Sequence, residues 1–283
     1  MIKRDGVALM NARTKNVSLA KDTLDVLKHK QYIAPSGNIV DISFALDEAI
    51  DHTKLFQDVT PAIYAQPTSP VASVTAPIVD VVNETTTQAA VRLLADNKKD
   101  IVALNFASAR NVGGGFLSGA VAQEEDLCRR SGLYVCTKRK PVFYNENILC
   151  DDTFYTDNII YSPNVPFFRD EYNQFLENPY YLSIISAPAP NVRSMEDIDE
   201  KVLYSVIYNR ILKILHIARL YQHENIILGA WGCGAFGNDP DMVANAFKQA
   251  LVDIPDFGHV CFAVYDSREG TPIYTTFKQV FGV

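Results

Sequence analysis

From residue 77 onward, short apolar runs alternate with segments of helical periodicity, and this alternation restricts the fold more than any other feature. PIVDVV (77–82) and IVALNFAS (101–108) read as buried strands, with TTTQAAVRLLADN between them as a helix capped by Thr85 or Thr86. YLSIISAPAP (181–190), NIILGAW (225–231) and HVCFAVYD (259–266) are further strands, separated by the helical stretches 197–222 and 239–252. In the longer of these, Leu203, Ile207, Ile211, Ile214 and Ala218 recur every three or four residues, giving an apolar stripe that must lie on a sheet. Strands that alternate with helices predict a layered α/β sandwich.

The first part of the chain is different. NVSLAKDTLDVLKHKQY (16–32) predicts an amphipathic helix, DEAIDHTKLF (47–56) a short helical segment, and the Pro-, Ser- and Thr-rich stretch TPAIYAQPTSPVASVTAP (60–77) a connection. Residues 1–75 are therefore expected to form a helical N-terminal extension packed on a main domain of residues 76–283. The 283 residues suffice for that single large domain with its extension.

Lys and Arg total 26 against 33 for Asp and Glu, a net charge of −7, the wrong sign for direct nucleic-acid binding through phosphates. Any anionic ligand must be gripped locally. No apolar run approaches a membrane span or a signal peptide, so a cytoplasmic protein is expected. The five cysteines lack paired spacing and the five histidines are scattered, which speaks against a zinc site. Trp231 reads as a packing anchor; Tyr161, Phe167 and Phe168 either close the core or flank a cleft.

Two glycine-rich loops follow strands, where open α/β sheets bind ligands. In NVGGGFLSGAVAQEED (111–126), Gly113, Gly114 and Gly115 clear three consecutive side chains, so backbone N–H groups can approach a ligand. WGCGAFGNDP (231–240) spells G-x-G-x-x-G with Gly232, Gly234 and Gly237 just before a helix. A dinucleotide fold of the Rossmann type would need a long parallel sheet downstream and an acidic residue at the tip of the next strand. Only 46 residues follow Gly237, and Asp256 precedes the last strand. The expectation that survives is a nest of N–H groups at a helix N-terminus suited to a diphosphate. In Gln123-Glu124-Glu125, neighbouring side chains leave a helix about a hundred degrees apart, so the two carboxylates are expected to diverge into different roles rather than form the close pair of a retaining glycosidase.

The triple glycine followed at seven residues by QEE resembles the signature of the poly(ADP-ribose) glycohydrolases. VVNETT, LNFASARNVGGGF, AQEEDLCRRSGLY, YTDNIIYSPNVPFFRDE, ISAPAPN and LGAWGCGAFGNDP resemble the microbial type specifically, over residues 80–240 and more loosely from about residue 10 to the end. The resemblance implies a macrodomain-like three-layer α/β/α sandwich with a helical N-terminal extension. It assigns catalysis to Glu125, contact with a ribose hydroxyl to Glu124 and loop support to Gln123. Gly113 to Gly115 would line the distal ribose and diphosphate. Gly232, Cys233, Gly234, Ala235, Phe236 and Gly237 would form the second diphosphate loop, with Phe236 over the distal ribose, and Asn111 stands approximately where related macrodomains bind that ribose. Asn83, Glu84 and Tyr265, just inside the end of the last strand, mark the region expected to receive adenine.

The implied ligands are ADP-ribose and poly(ADP-ribose) or ADP-ribosylated macromolecules, with no metal and no cofactor, and a monomer is expected. Two other readings use the same pocket: a mono-ADP-ribosyl hydrolase acting on protein or nucleic acid, and a non-catalytic ADP-ribose-binding module. The module would need no acid at position 125.

Overall fold

A computed structural model describes residues 2–57 and 77–283, with side chains from Ala12 onward. The stretch expected as a connection, 60–77, lies outside the described residues except for Pro77. Nine strands and nine helices are seen among the described residues: α1 (Ile2–His29), β1 (Gln31–Ile33), β2 (Ile39–Asp41), α2 (Ser43–Asp51), β3 (Lys54–Phe56), β4 (Ile78–Val82), α3 (Thr86–Ala95), β5 (Ile101–Phe106), α4 (Gln123–Arg130), α5 (Leu133–Lys138), α6 (Pro141–Leu149), β6 (Ile159–Arg169), β7 (Phe175–Ala187), α7 (Glu200–Leu220), β8 (Asn225–Leu228), α8 (Pro240–Asp253), β9 (His259–Ala263) and α9 (Pro272–Phe281).

Seven of the strands form one sheet in the order β3-β6-β7-β5-β8-β9-β4. From β7 to β4 neighbours run parallel; β6 and β3 are antiparallel additions at one edge. Alternation along the strands divides the core into two layers. On β5, Val102 and Leu104 face the side covered by α7 and α8, where Ile207, Ile211 and Ile214 of the predicted stripe are fully buried. Ile101 and Ala103 face the other side, packed with residues of α3, α4 and α5. The result is a three-layer α/β/α sandwich. Burying one such isoleucine contributes about 1.5–3 kcal/mol, so the stripe alone accounts for the docking of α7.

Helix starts follow their local chemistry. Thr85 caps α3, accepting from the Gln88 N–H at 3.2 Å while the Gln88 side chain accepts from the Thr85 N–H at 2.9 Å. Asp199 and Asp239 cap α7 and α8.

Three expectations need correction and one open alternative is decided. The first helix begins well before Asn16 and ends before Tyr32, which is buried in β1. DEAIDHTKLF is not one helical segment: the helix stops at Asp51, and Lys54–Phe56 pairs antiparallel with β6. The N-terminal region is thus woven into the main sheet as its edge strand as well as being packed on it. Residues 159–187 form a long antiparallel hairpin, and of the two readings open for Tyr161, Phe167 and Phe168 it is the core that holds: all three are buried. Tyr265 stands two residues beyond β9, not inside a strand.

Candidate active site

The carboxyl ends of the parallel strands open into a cleft of about 970 Å³, large enough for a nucleotide-sized ligand. Its walls are the segments that leave those ends: Phe106 and Ser108 after β5, Ala189 after β7, Ala230 and Trp231 after β8, Ala263 to Tyr265 at β9, and Glu84 to Thr86 after β4. Both glycine loops reach it. Asn111, Gly114, Gly115, Gln123, Glu124 and Glu125 line it from the first, and Gly232, Gly234, Ala235 and Phe236 from the second.

Gly113, Cys233, Gly237 and Asn83 do not line it. A Cβ on Gly113 would meet the Tyr134 ring at 3.0 Å and Cys128 at 3.2 Å, so this glycine permits a turn against the core. The Cys233 thiol is buried and donates to the Trp231 carbonyl, and Gly237 abuts Arg193. The Asn83 amide is spent on the backbone of Asp266, donating to its carbonyl and accepting from its N–H. Glu84 lines the cleft while paired with Arg92 at 3.1 Å. Tyr265 lines it with 64% of its surface exposed.

The QEE segment forms the first turn of α4, and each side chain has a separate anchor. Gln123 ties the helix to two neighbours: its carbonyl accepts from the Phe106 N–H at 2.9 Å, and its amide donates to the Leu104 carbonyl at 2.8 Å and the Thr86 hydroxyl at 3.0 Å. Glu125 curls back over the helix start, accepting from the Ala122 N–H at 3.0 Å and from the Gly115 N–H at 2.6 Å. Glu124 points inward, accepting from the Ser108 N–H at 2.8 Å and the Asn105 amide at 3.3 Å.

The expected divergence of the two carboxylates is corrected here. Their Cα–Cβ bonds do leave the helix in different directions, but the long side chains bend to one place. A methyl group built on Gly114 would lie 2.9 Å from Glu124 Oε2 and closer still to Glu125 Oε1. Gly114 also has φ +58°, so it is glycine for two reasons: a left-handed backbone and two carboxyl groups where a Cβ would stand. Burial pushes the Glu124 carboxyl up to about 8; the Ser108 and Asn105 donors oppose this, and the charge of Glu125 adds to it. Near neutral pH Glu124 is thus largely an uncharged acid.

The second loop also differs from expectation. The N-terminus of α8 is already capped by Asp239, whose carboxylate accepts from the Asp241 N–H at 2.9 Å, so the helix end is not free for an anion. The available donors lie earlier: among the described residues, no acceptor meets the N–H groups of Gly234, Ala235 and Phe236. A Cβ on Gly234 would enter open space, and the Phe236 ring stands over the cleft, 6.2 Å from the Tyr155 ring. Asp256, the weak point of the dinucleotide reading, is paired with Arg219 at 2.6 Å. Trp231 is fully buried, with its indole N–H on the Ala187 carbonyl at 3.0 Å, as its reading as an anchor expects. Among the described residues, no group of His, Cys, Asp or Glu is arranged to hold a metal ion.

Asn105, Ser108 and Ser186 were not among the expected site residues. Asn105 and Ser186 carried a signal, as polar residues inside runs that otherwise read as buried strand; Ser108 carried none, because it acts through its backbone.

Residues 20–170 match the model of the catalytic domain of microbial-type PARG, which is over half of the chain. The structure is similar to the crystal structure of poly(ADP-ribose) glycohydrolase from Thermomonospora curvata, at 38% identity and TM-score 0.89, covering 95% of this chain and 100% of that one. A second structure of the Thermomonospora curvata enzyme, bound to the inhibitor ADP-HPD, matches at 38% identity and TM-score 0.86, covering 94% of this chain and 99% of that one. The Deinococcus radiodurans enzyme in complex with ADP-ribose matches at 37% identity and TM-score 0.72, covering 83% of this chain and 96% of that one. No curated protein matches. The family model and these structures agree with the two glycine loops and the paired glutamates: the chain belongs to the microbial-type poly(ADP-ribose) glycohydrolases.

Proposed function

We propose that this protein hydrolyses the ribose–ribose O-glycosidic bonds of poly(ADP-ribose) and releases ADP-ribose. The observation that carries this reading is the meeting of the Glu124 and Glu125 carboxyls beside Gly114, in a cleft also lined by Gly234, Ala235 and Phe236, whose N–H groups meet no acceptor among the described residues. Those donors suit a diphosphate, and the carboxyls suit the sugar attached to it. The relatives solved with ADP-ribose and ADP-HPD support the ligand class.

In this reading Glu125 is the general acid and base. Its carboxyl gives a proton to the leaving ribose oxygen as the C–O bond breaks and the anomeric carbon gains oxocarbenium character. The resulting carboxylate takes a proton from the attacking water, which restores the acid. The Gly115 and Ala122 N–H groups fix the side chain during this exchange. Glu124, uncharged near neutral pH, can donate a hydrogen bond to a ribose hydroxyl, which a carboxylate could not. The N–H groups of Gly234, Ala235 and Phe236 hold the diphosphate, with Gly114 and Gly115 leaving room beside it, and the diphosphate charge then lies beside the cationic transition state. Asn111 and Phe236 bound the distal ribose, and Glu84 with Tyr265 marks the adenine end. A cytoplasmic setting agrees with five free thiols.

A time course with labelled poly(ADP-ribose), resolved by product length, tests the reading: ADP-ribose should accumulate as the polymer is consumed. Intact polymer, with ADP-ribose released only from singly modified protein, would overturn it in favour of single-group hydrolysis. Calorimetry adds a binding test, in which ADP-ribose should bind far better than AMP.

A further inference from the structure

We propose that Asn105 and Ser186, a cross-strand pair beneath the cleft, are positioning residues that aim the Glu124 carboxyl at the sugar. The proposal rests on the functional reading above.

Asn105 on β5 and Ser186 on β7 are direct register partners in a parallel pair. Strand parity puts both on the α4 side of the sheet, since Ile101 and Ala103 on β5 and Leu182 and Ile184 on β7 pack in that layer. At those positions the layer is otherwise apolar, yet both residues are polar and almost wholly buried. The Asn105 amide nitrogen bridges two groups: it donates to the Ser186 hydroxyl at 2.9 Å and to Glu124 Oε1 at 3.3 Å. The other Glu124 oxygen is held by the Ser108 N–H, so the carboxyl is fixed at both ends.

The cost of this arrangement shows what it is for. The Asn105 carbonyl oxygen is buried with no hydrogen-bond partner. An apolar residue would avoid that cost, so an asparagine here is explained by what its nitrogen does for Glu124. The titratable groups that interact with Glu124 are Glu125 and Cys128 on its own helix and Tyr144 on α6. Burial raises Cys128 and Tyr144, so both are neutral. The Asn105 amide is therefore the one side-chain donor that favours the Glu124 carboxylate.

The test has one readout independent of turnover. In protein carrying 13C-labelled glutamate, the Glu124 carboxyl is assigned by its loss in Glu124→Gln and titrated by NMR. Asn105→Ala removes a donor to the charged form, so the titration should move to higher pH. In parallel, kcat on poly(ADP-ribose) should fall roughly tenfold or more, as expected for a misplaced catalytic carboxyl, with KM changed much less. Ser186→Ala should move both readouts the same way by less, and Ser186→Thr, which keeps the hydroxyl, should restore them. Should Asn105→Ala not fold, the Ser186 pair decides. A folded variant with unmoved titration and unchanged kcat would overturn the proposal. A parent protein that titrates as described but releases no ADP-ribose would instead refute the functional reading.

Discussion

Replacing Gly114 with alanine tests the convergence of the two glutamates with the smallest possible change. The new methyl group would stand 2.9 Å from Glu124 Oε2 and nearer to Glu125 Oε1, where carbon and oxygen need at least about 3.4 Å. Both carboxyls must therefore retreat by roughly 0.5–1 Å, and Glu125 must stretch or break its bond from the Gly115 N–H. The left-handed backbone at φ +58° adds about 1 kcal/mol, as does the loss of one good hydrogen bond, so stability should fall by about 2 kcal/mol. A catalytic group displaced by about 1 Å loses roughly 100-fold in rate. Single-turnover hydrolysis of poly(ADP-ribose) measures the rate, calorimetry the ADP-ribose affinity, and thermal melting the stability. The expected pattern is a rate loss of roughly 100-fold in a folded protein that still binds ADP-ribose. A folded Gly114→Ala protein with near-parental turnover would refute the argument, because the carboxyls could not then meet at that point.

Three further outcomes are expected. Glu125→Gln should lose at least ~100-fold in single-turnover rate while still binding ADP-ribose, and Glu124→Gln should show a weaker defect that falls partly on substrate positioning; the reverse order would exchange their roles. Because the folded Glu124 carboxyl lies at about 8 rather than its ordinary 4.5, its stabilising contribution is complete below about pH 4.5 and is lost as pH rises through 8. Glu124→Gln lacks that loss, so melting curves between pH 5 and pH 9 should show its Tm advantage growing by several degrees, and a constant difference would contradict the burial argument. Phe236→Ala should slow hydrolysis while costing no more than the ~1 kcal/mol of a partly buried ring; a larger drop on melting would make the ring part of the interior.

Much of the layered fold was legible in the sequence, for a simple reason. A buried strand and an amphipathic helix each announce themselves by local periodicity, and the stripe Leu203, Ile207, Ile211, Ile214 and Ala218 is buried along its whole length. The 159–187 hairpin was less legible: a strand carrying Ser162, Asn164 and two prolines breaks the apolar run, and its pairing is settled by a partner many residues away. Lys54–Phe56 is too short to signal a strand, and only the exposed edge of β6 makes it one.

The site divides the same way. The sequence by itself determined the ingredients: two glycine loops after strands and a QEE segment, all fixed by backbone freedom and residue type. Tertiary structure decided how they meet. It bent two neighbouring glutamates to one place at Gly114, spent the α8 N-terminus on Asp239, and left Gly113 and Cys233 facing the core. It also set Asn105 and Ser186 under Glu124. Side-chain direction along one element follows from period alone, whereas the end of a long side chain goes where hydrogen-bond donors on other segments hold it. For Glu124 those donors come from β5 and the turn after it, and for Glu125 from the Gly115 loop, contacts that exist only once the sheet has assembled.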